Sequence, residues 1–285
     1  YASVGAMKEE ATAISEGDTG SVSIEVSVSS SRSQSRSEAT STLVRGSYAL
    51  AGGNIGITAI GEQTTGLPVD GTGDLAVVAS ILKGQNVTLT ATRDMLLQSG
   101  QTMTDQHSSN SVGGWSVGVG VSLGKQTGIT LNGSAYAGSG GSDGKSVQQV
   151  STQVEAGDTV VLRSGRDTVL EGAQATGSLV MADIGRDLTI RSVQDTIQYH
   201  ADQHQVSVAG SATIGTGGGS ANIAANWSRA HADYASVNRQ SGLFGGAGGY
   251  NVDVGQHTQL DGGAISSTVV SNDNRLSTAT LSHTD

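Results

Sequence analysis

Short apolar runs separated by glycine corners dominate residues 157–193. The runs hold Val, Leu, Ile or Met, and the same Gly-Arg-Asp corner begins at Gly165 and again at Gly185. β-Branched and aliphatic residues favour strands. A turn after every short strand is typical of stacked repeats that bury their apolar side chains together. The pattern predicts an all-β fold, a parallel β-helix (β-solenoid) of about eight coils. Its core candidates are Val160, Leu162, Val169, Leu188 and Ile190.

The corners carry the residue types that tight turns need. Glycine takes positive φ without steric cost, and Asp hydrogen-bonds to its own turn backbone. We therefore expect Gly185 to have a positive φ, so that a larger residue there destabilises the fold.

Three segments replace the coil pattern by apolar and polar residues in strict alternation, at about residues 21–45, 112–140 and 206–230. Alternation on both sides of a glycine turn predicts antiparallel hairpins. Such hairpins either protrude from the β-helix or pack on its side. The alternation has nearly the length, about 9–11 residues, that a strand needs to cross a bilayer. The candidates for membrane-facing residues are Trp115, Val117, Val119, Val121, Leu123, Ile223, Ala225 and Trp227.

A second period of about 100 residues combines a few coils with one hairpin, which predicts a single repeat-built region over residues 1–285. Residues 7–14 have a helical composition but suit a strand as well. Because the chain opens at Tyr1 and not at Met, we expect it to be part of a longer protein.

The composition excludes several classes of protein. The net charge is −10, with 15 Lys and Arg against 25 Asp and Glu, which argues against nucleic-acid binding. Cysteine is absent, and no apolar run is long enough for a transmembrane helix. With one Phe and two Trp, the core must be aliphatic.

Candidate sites for chemistry are better explained as structure. We expect no catalytic, cofactor or metal site. His200, Asp202 and His204 share one face of a strand, but three such ligands span too far for one ion without a bend. Two glycine-rich segments, 140–144 and 245–250, lack the helix of a nucleophile elbow and the aspartate of a calcium repeat, respectively. Four carboxylates, those of Asp158, Asp167, Asp187 and Asp195, suit turns, and the alternative is a polysaccharide-processing pair. Three arginines could hold an anion: Arg32, Arg36 and Arg45.

The ordered series of motifs resembles a known family. Glycine-aspartate coils and an amphipathic hairpin are followed by the segments 234–246 (YASVNRQSGLFGG), 255–265 (GQHTQLDGGAI) and 274–281 (NRLSTATL). This series resembles the second haemagglutinin-repeat region of filamentous-haemagglutinin-like, two-partner-secreted exoproteins, above all the contact-dependent growth-inhibition toxins.

The resemblance implies a right-handed parallel β-helix on an exported filament at the surface of a Gram-negative bacterium. The segment is then non-catalytic and acts in target-cell contact and in passing a C-terminal toxin across the target outer membrane. The implied partners are the outer-membrane transporter during export, the rest of the exoprotein with its toxin, and target-cell surface components. An adhesin stalk that binds host glycan or protein is the alternative, followed by a β-helical polysaccharide-active enzyme.

Overall fold

A computed structural model describes residues 3–4, 22–64, 67–68, 72–123, 128–215, 218–269 and 274–284. This part of the chain is all-β, with parallel and antiparallel sheets. It contains no helix, and so none that is long and apolar enough to span a membrane. The segment with helical composition, residues 7–14, lies outside the described residues.

The strands are numbered in chain order. They are β1 Ser3–Val4, β2 Val22–Thr42, β3 Tyr48–Leu50, β4 Ile55–Ala59, β5 Gln63–Thr64, β6 Leu67–Pro68, β7 Leu75–Val78, β8 Ile81–Ala91, β9 Met95–Gln98, β10 Gly100–Leu123, β11 Gly128–Val150, β12 Thr152–Ser164, β13 Thr168–Glu171, β14 Ala173–Ile184, β15 Leu188–Arg191, β16 Asp195–Ile214, β17 Gly218–Ser236, β18 Gly242–Val254, β19 His257–Asp261, β20 Ala264–Ser267, β21 Arg275–Ser277 and β22 Thr280–Thr284.

By its contacts the chain divides into two units. The first comprises residues 1–40, 105–145 and 198–233, and the second residues 41–104, 146–197 and 234–285. A six-stranded sheet of order β1-β2-β10-β11-β16-β17 supplies the first unit. The second unit is built on an eight-stranded and a six-stranded sheet, whose strands pair in parallel. Successive strands such as β12, β13, β14 and β15 alternate between these two parallel sheets.

Aliphatic columns form the core of the second unit. In the eight-stranded sheet Leu162 is in register with Leu89 on one side and with Ala182 on the other, and all three are buried. In the six-stranded sheet Leu170 is in register with Leu97 and Ile190, and these are also buried. Each fully buried Leu or Ile contributes about 1.5–3 kcal/mol, so the columns provide the main stabilising term.

Four of the five predicted core residues are confirmed: Val160, Leu162, Leu188 and Ile190 are fully buried. The prediction for Val169 is wrong, because it is only half-buried while its neighbours Thr168 and Leu170 point inward. Within the described residues the second parallel sheet has six strands, fewer than the roughly eight coils that the sequence predicts.

The Asp corners form a ladder of hydrogen bonds between neighbouring parallel strands. The backbone N–H of Asp167 donates to Asp94 Oδ1 (3.1 Å), and that of His257 donates to Asp187 Oδ1 (3.0 Å). The Arg186 side chain donates to both carboxylate oxygens of Asp167, and these hydrogen bonds lower the pKa of Asp167. The carboxylates are therefore committed to turn structure.

The glycine corners are required for a different reason from the one predicted. Gly185 does not have a positive φ. A Cβ atom on Gly185 would instead lie 2.2 Å from the carbonyl oxygen of Gly165, and one on Gly255 would lie 2.3 Å from that of Gly185. The corners thus stack backbone on backbone, with no room for a side chain.

The hairpin strands extend beyond their predicted ends. β10 and β11 cover 100–123 and 128–150, and β16 and β17 cover 195–214 and 218–236. The segment predicted as a first hairpin, 21–45, contains instead one continuous strand, β2, which pairs with β1 and β10. β2 contains no Gly, Pro, Asn or Asp, and its many serines favour a turn only weakly.

Candidate functional site

The six-stranded sheet keeps one antiparallel register from end to end of its long strands. Between β10 and β11, Ser108 contacts Ser142 and Ser116 contacts Ser134, both at 2.7 Å. Between β16 and β17, the Asp202–Arg229 pair (3.1 Å) and the Ser211–Ser220 pair (2.8 Å) fit one register as well. β11 and β16 meet at Thr130 and Thr213, 3.2 Å apart. Directly opposite residues share a face, so these contacts assign every side chain to one of two faces.

One face carries the predicted membrane-facing residues together. Trp115, Val117, Val119 and Val121 of β10 share it with Ile223, Ala225 and Trp227 of β17. Their side chains are exposed: 49% for Trp115, 44% for Val119, 74% for Ile223 and 70% for Trp227. Leu123 ends β10, but its side chain lies outside the described residues.

Three further strands add apolar side chains that the site prediction missed. The same alternation carries them, but only the register between strands shows that they belong to one surface. We call this surface the apolar zone. It comprises the exposed residues Val26, Val28, Trp115, Val117, Val119, Val121, Ile129, Leu131, Val206, Val208, Ile214, Ile223, Ala225 and Trp227.

The opposite face is lined by small and polar residues. It carries the paired hydroxyls of Ser116 and Ser134 and of Ser211 and Ser220. Asn132 Nδ2 also donates to Glu25 across Gly118, where a side chain would collide with both groups. This hydroxyl face is hydrophilic without carrying much charge, so the two faces of the sheet differ sharply in polarity.

Farther from Leu123, where β10 ends, the apolar face becomes charged. His107 Nδ1 lies 2.5 Å from Asp143 Oδ1, and His200 Nε2 lies 2.7 Å from Asp202 Oδ2. The His200 and His231 rings meet edge to face with centroids 6.1 Å apart. We call this part of the face the charged end. It comprises Glu38, Asp105, His107, Asp143, Lys145, His200, His231 and Asp233, which line an open groove of about 580 Å³.

The candidate metal ligands do not converge. Asp202 contacts His200 and Arg229, whereas His204 lies two residues farther along β16. Among the residues that the structure describes, no group of three or more His, Cys, Asp or Glu could hold a metal ion.

The candidate catalytic carboxylates are all engaged in hydrogen bonds of the fold. Asp158 accepts from Gln85 Nε2 (2.6 Å), and Asp195 accepts from the backbone N–H of Gln149 (2.6 Å). Asp167 and Asp187 belong to the corner ladder described above. Residues 140–144 lie inside β11. Residues 245–250 lie in β18 at an irregularity of its pairing with β14, where Gly249 has a positive φ of 75°.

Comparison with known proteins gives consistent matches. The family described as hemagglutinin repeat matches residues 26–208. A tRNA nuclease CdiA of Yersinia mollaretii is 43% identical over 238 residues, which is 83% of this chain and 8% of the relative. A tRNA nuclease CdiA of Escherichia coli strain STEC_O31 is 38% identical over 99% of this chain and 9% of the relative.

A deoxyribonuclease CdiA of Yersinia pseudotuberculosis serotype O:3 is 38% identical over 86% of this chain and 22% of its own length. The chain therefore spans only a small part of the curated relatives that it matches. No solved structure matches it.

Proposed function

This chain belongs to the hemagglutinin-repeat family, and from that premise we propose that it is a non-catalytic segment of a contact-dependent growth-inhibition toxin. It contacts a target cell and helps a toxin elsewhere in the protein to cross the target outer membrane. The named nuclease activities belong to relatives of which this chain covers 8–22%. Its own carboxylates are engaged in turns and ion pairs, which supports a structural role for them.

The second unit serves as the shaft of this segment. Its chain alternates between two parallel sheets whose strands stack in register, which supports a right-handed parallel β-helix. Such a shaft suits a filament exported to the surface of a Gram-negative cell through an outer-membrane transporter. The rest of the exoprotein, including the toxin, is its covalent partner.

The apolar zone is the observation that carries the proposal. Soluble proteins rarely expose a contiguous apolar surface, and such surfaces mark sites of protein or membrane interaction. Here the exposed apolar side chains occupy five neighbouring strands, and no charged residue interrupts them between the Val121 and Trp115 positions. The opposite face of the sheet supplies polar groups. A surface of this kind is suited to the hydrocarbon of a target membrane.

The test places a charge in the apolar zone. Val119→Asp and Ile223→Asp should each reduce vesicle binding and toxin delivery while leaving surface display unchanged, because a carboxylate in hydrocarbon costs several kcal/mol. Asn222→Asp is the matched control, since Asn222 neighbours Ile223 on the hydroxyl face and is exposed. Both functions are measured in the exoprotein that carries this chain.

Two results would reject the membrane role. Normal display with normal delivery and binding in both variants would show that the apolar zone does not enter a bilayer. Loss of display would show that these side chains serve folding. Loss of attachment to cells while vesicle binding persists would favour an adhesin instead.

A further inference from the structure

Three kinds of surface follow one another along the apolar face of the six-stranded sheet. The apolar zone comes first, next to the hairpin turns. On β2 the alternation of Val26 and Val28 then leads to Arg32 and Arg36, which therefore lie on the same face. On β17 the alternation of Ile223 and Trp227 leads to Arg229 in the same way. We call Arg32, Arg36 and Arg229 the cationic belt.

The belt overlaps the far end of the apolar zone, since Trp227 lies between the levels of Arg32 and Arg36, and it precedes the acidic residues of the charged end. Among the described residues at the level of the belt, Asp202 is the single carboxylate on this face. Four carboxylates, those of Glu38, Asp105, Asp143 and Asp233, come only farther along. Along the strands the surface is thus first apolar, then positively charged and then negatively charged, in a protein whose net charge is −10. A local excess of arginine within so acidic a chain requires a specific explanation.

The position of the belt matches the thickness of a membrane. In the register of the sheet, Arg32 lies eight residues beyond the level of Val121. At about 3.3 Å per residue and a strand tilt of about 35–45°, Arg32 lies about 20 Å and Arg36, four residues farther along β2, about 30 Å above that level. The two arginines therefore bracket the height of about 25 Å over which membrane-crossing strands are apolar. Trp227 lies two residues beyond the level of Arg32, at the depth where interfacial tryptophans occur.

The belt arginines are available for a ligand. The side chains of Arg36 and Arg229 are 75% and 79% exposed. Arg36 pairs with Glu38 and Arg229 with Asp202, but exposed ion pairs contribute only about 0–1 kcal/mol. The guanidinium fork matches the geometry of phosphate oxygens and can bind two of them at once.

We propose that the cationic belt binds the phosphate groups of anionic lipid headgroups. The apolar zone enters the hydrocarbon of the bilayer, and the belt at the headgroups sets how deeply the sheet inserts. This inference rests on the proposed membrane role and adds a headgroup class and three binding residues to it. The acidic charged end stays in water, because the same surface charge that attracts the belt repels it.

The experiment measures binding of the purified chain to two kinds of vesicle. One is made of phosphatidylcholine alone, and the other also contains about one third phosphatidylglycerol, a lipid with an anionic phosphate headgroup. The wild type should prefer the anionic vesicles, and added salt should weaken that preference. The anionic preference is the affinity for the anionic vesicles divided by that for the neutral ones. In the triple variant Arg32→Gln, Arg36→Gln, Arg229→Gln it should fall by about fivefold per arginine, or about 100-fold in total.

A matched triple variant controls for net charge. Arg45→Gln, Arg163→Gln and Arg239→Gln change exposed arginines of the second unit and remove the same charge. This control should keep the anionic preference. Equal losses in both triple variants, or an unchanged preference in the belt variant, would overturn the proposal.

The outcomes also separate this inference from the function on which it rests. Equal binding of the wild type to both kinds of vesicle would reject the belt and leave the membrane role standing. Absence of binding to either kind would reject both. Urea denaturation midpoints that match the wild type show that the variants are folded, since the three belt side chains are exposed and add little to stability.

Discussion

Replacing Gly185 by alanine tests whether the corners of the second unit stack as closely as the structure indicates. The new Cβ would lie 2.2 Å from the oxygen and 2.7 Å from the carbon of the Gly165 carbonyl group. Both atoms belong to backbone, so no flexible side chain can move aside. The two corners must separate, and overpacking of this kind costs about 1–3 kcal/mol.

Separation of the corners also weakens the hydrogen bonds that join them. The N–H of Gly185 donates to Ser164 O, and that of Arg186 donates to Arg166 O, both at 2.9 Å. Each such bond contributes about 0.5–1.5 kcal/mol, so we expect a total loss of about 2–4 kcal/mol. For a loss of about 3 kcal/mol and a urea m-value of about 2 kcal/mol/M, the denaturation midpoint should fall by about 1.5 M.

Gly56→Ala is the control for this experiment. Gly56 lies in strand β4 of the same unit, and a Cβ there would have no atom within 4 Å. Alanine at this position should leave the urea midpoint unchanged or raise it slightly, since alanine reduces the freedom of the unfolded chain. If the Gly185→Ala variant unfolds at the same urea concentration as Gly56→Ala, the close stacking of the corners is refuted.

Two further predictions concern the corner carboxylates and the apolar zone. Asp167→Asn removes the ion pair with Arg186 and should lower the free energy of unfolding by about 1 kcal/mol near neutral pH. Because the pKa of Asp167 is lowered in the folded state, its contribution is present above about pH 3.8 and is lost as the pH falls through the lowered pKa. The urea midpoints of variant and wild type should then converge in acid; a constant difference would contradict the assignment. Both tryptophans of the chain lie in the apolar zone, so their fluorescence should shift to the blue when the chain binds vesicles, and an unshifted spectrum of vesicle-bound protein would place the zone in water.

The sequence predicts the buried residues of the core correctly where an apolar run is long enough to show which of its residues alternate inward. Val160 and Leu162 flank a single residue in such a run, and both are buried as expected. Val169 is the middle of a run of three residues, Thr168 to Leu170. The sequence fits a strand with Val169 pointing inward as well as one with its two neighbours pointing inward. The inward position there is decided by the neighbouring strands, since Thr168 is in register with Met95 and Leu188. One coil read alone does not contain that information.

The apolar zone could be predicted in its parts but not as a whole. Alternation within each hairpin identifies Val119 and Ile223 as members of apolar faces. The register between β11 and β16 decides whether the two hairpins present those faces on the same side of the sheet. The contact between Thr130 and Thr213, which are far apart in sequence, establishes that register. The outer parts of the long strands were missed because Ser, Gln and His replace the apolar residues there, while backbone pairing continues.

The exposure of the six-stranded sheet explains how such a sheet could exchange water for lipid. Every described side chain of β17 from Gly218 to Ala235 is exposed, so this strand buries no side chain that would have to be unpacked. Its stability comes from backbone pairing with β16 along strands of about 20 residues, and those hydrogen bonds persist in hydrocarbon. Because β17 is the edge of the sheet, its outer N–H and C=O groups must find a partner strand before this edge enters the bilayer. Moving a side chain such as Ile223 from water to lipid then gains transfer free energy without a compensating loss of packing. The hydroxyl face opposes this transfer, because its Ser and Asn groups need water or a polar partner. A sheet of this composition is therefore stable in water yet favours hydrocarbon on one face only, which is the property that the belt of arginines at its margin would regulate.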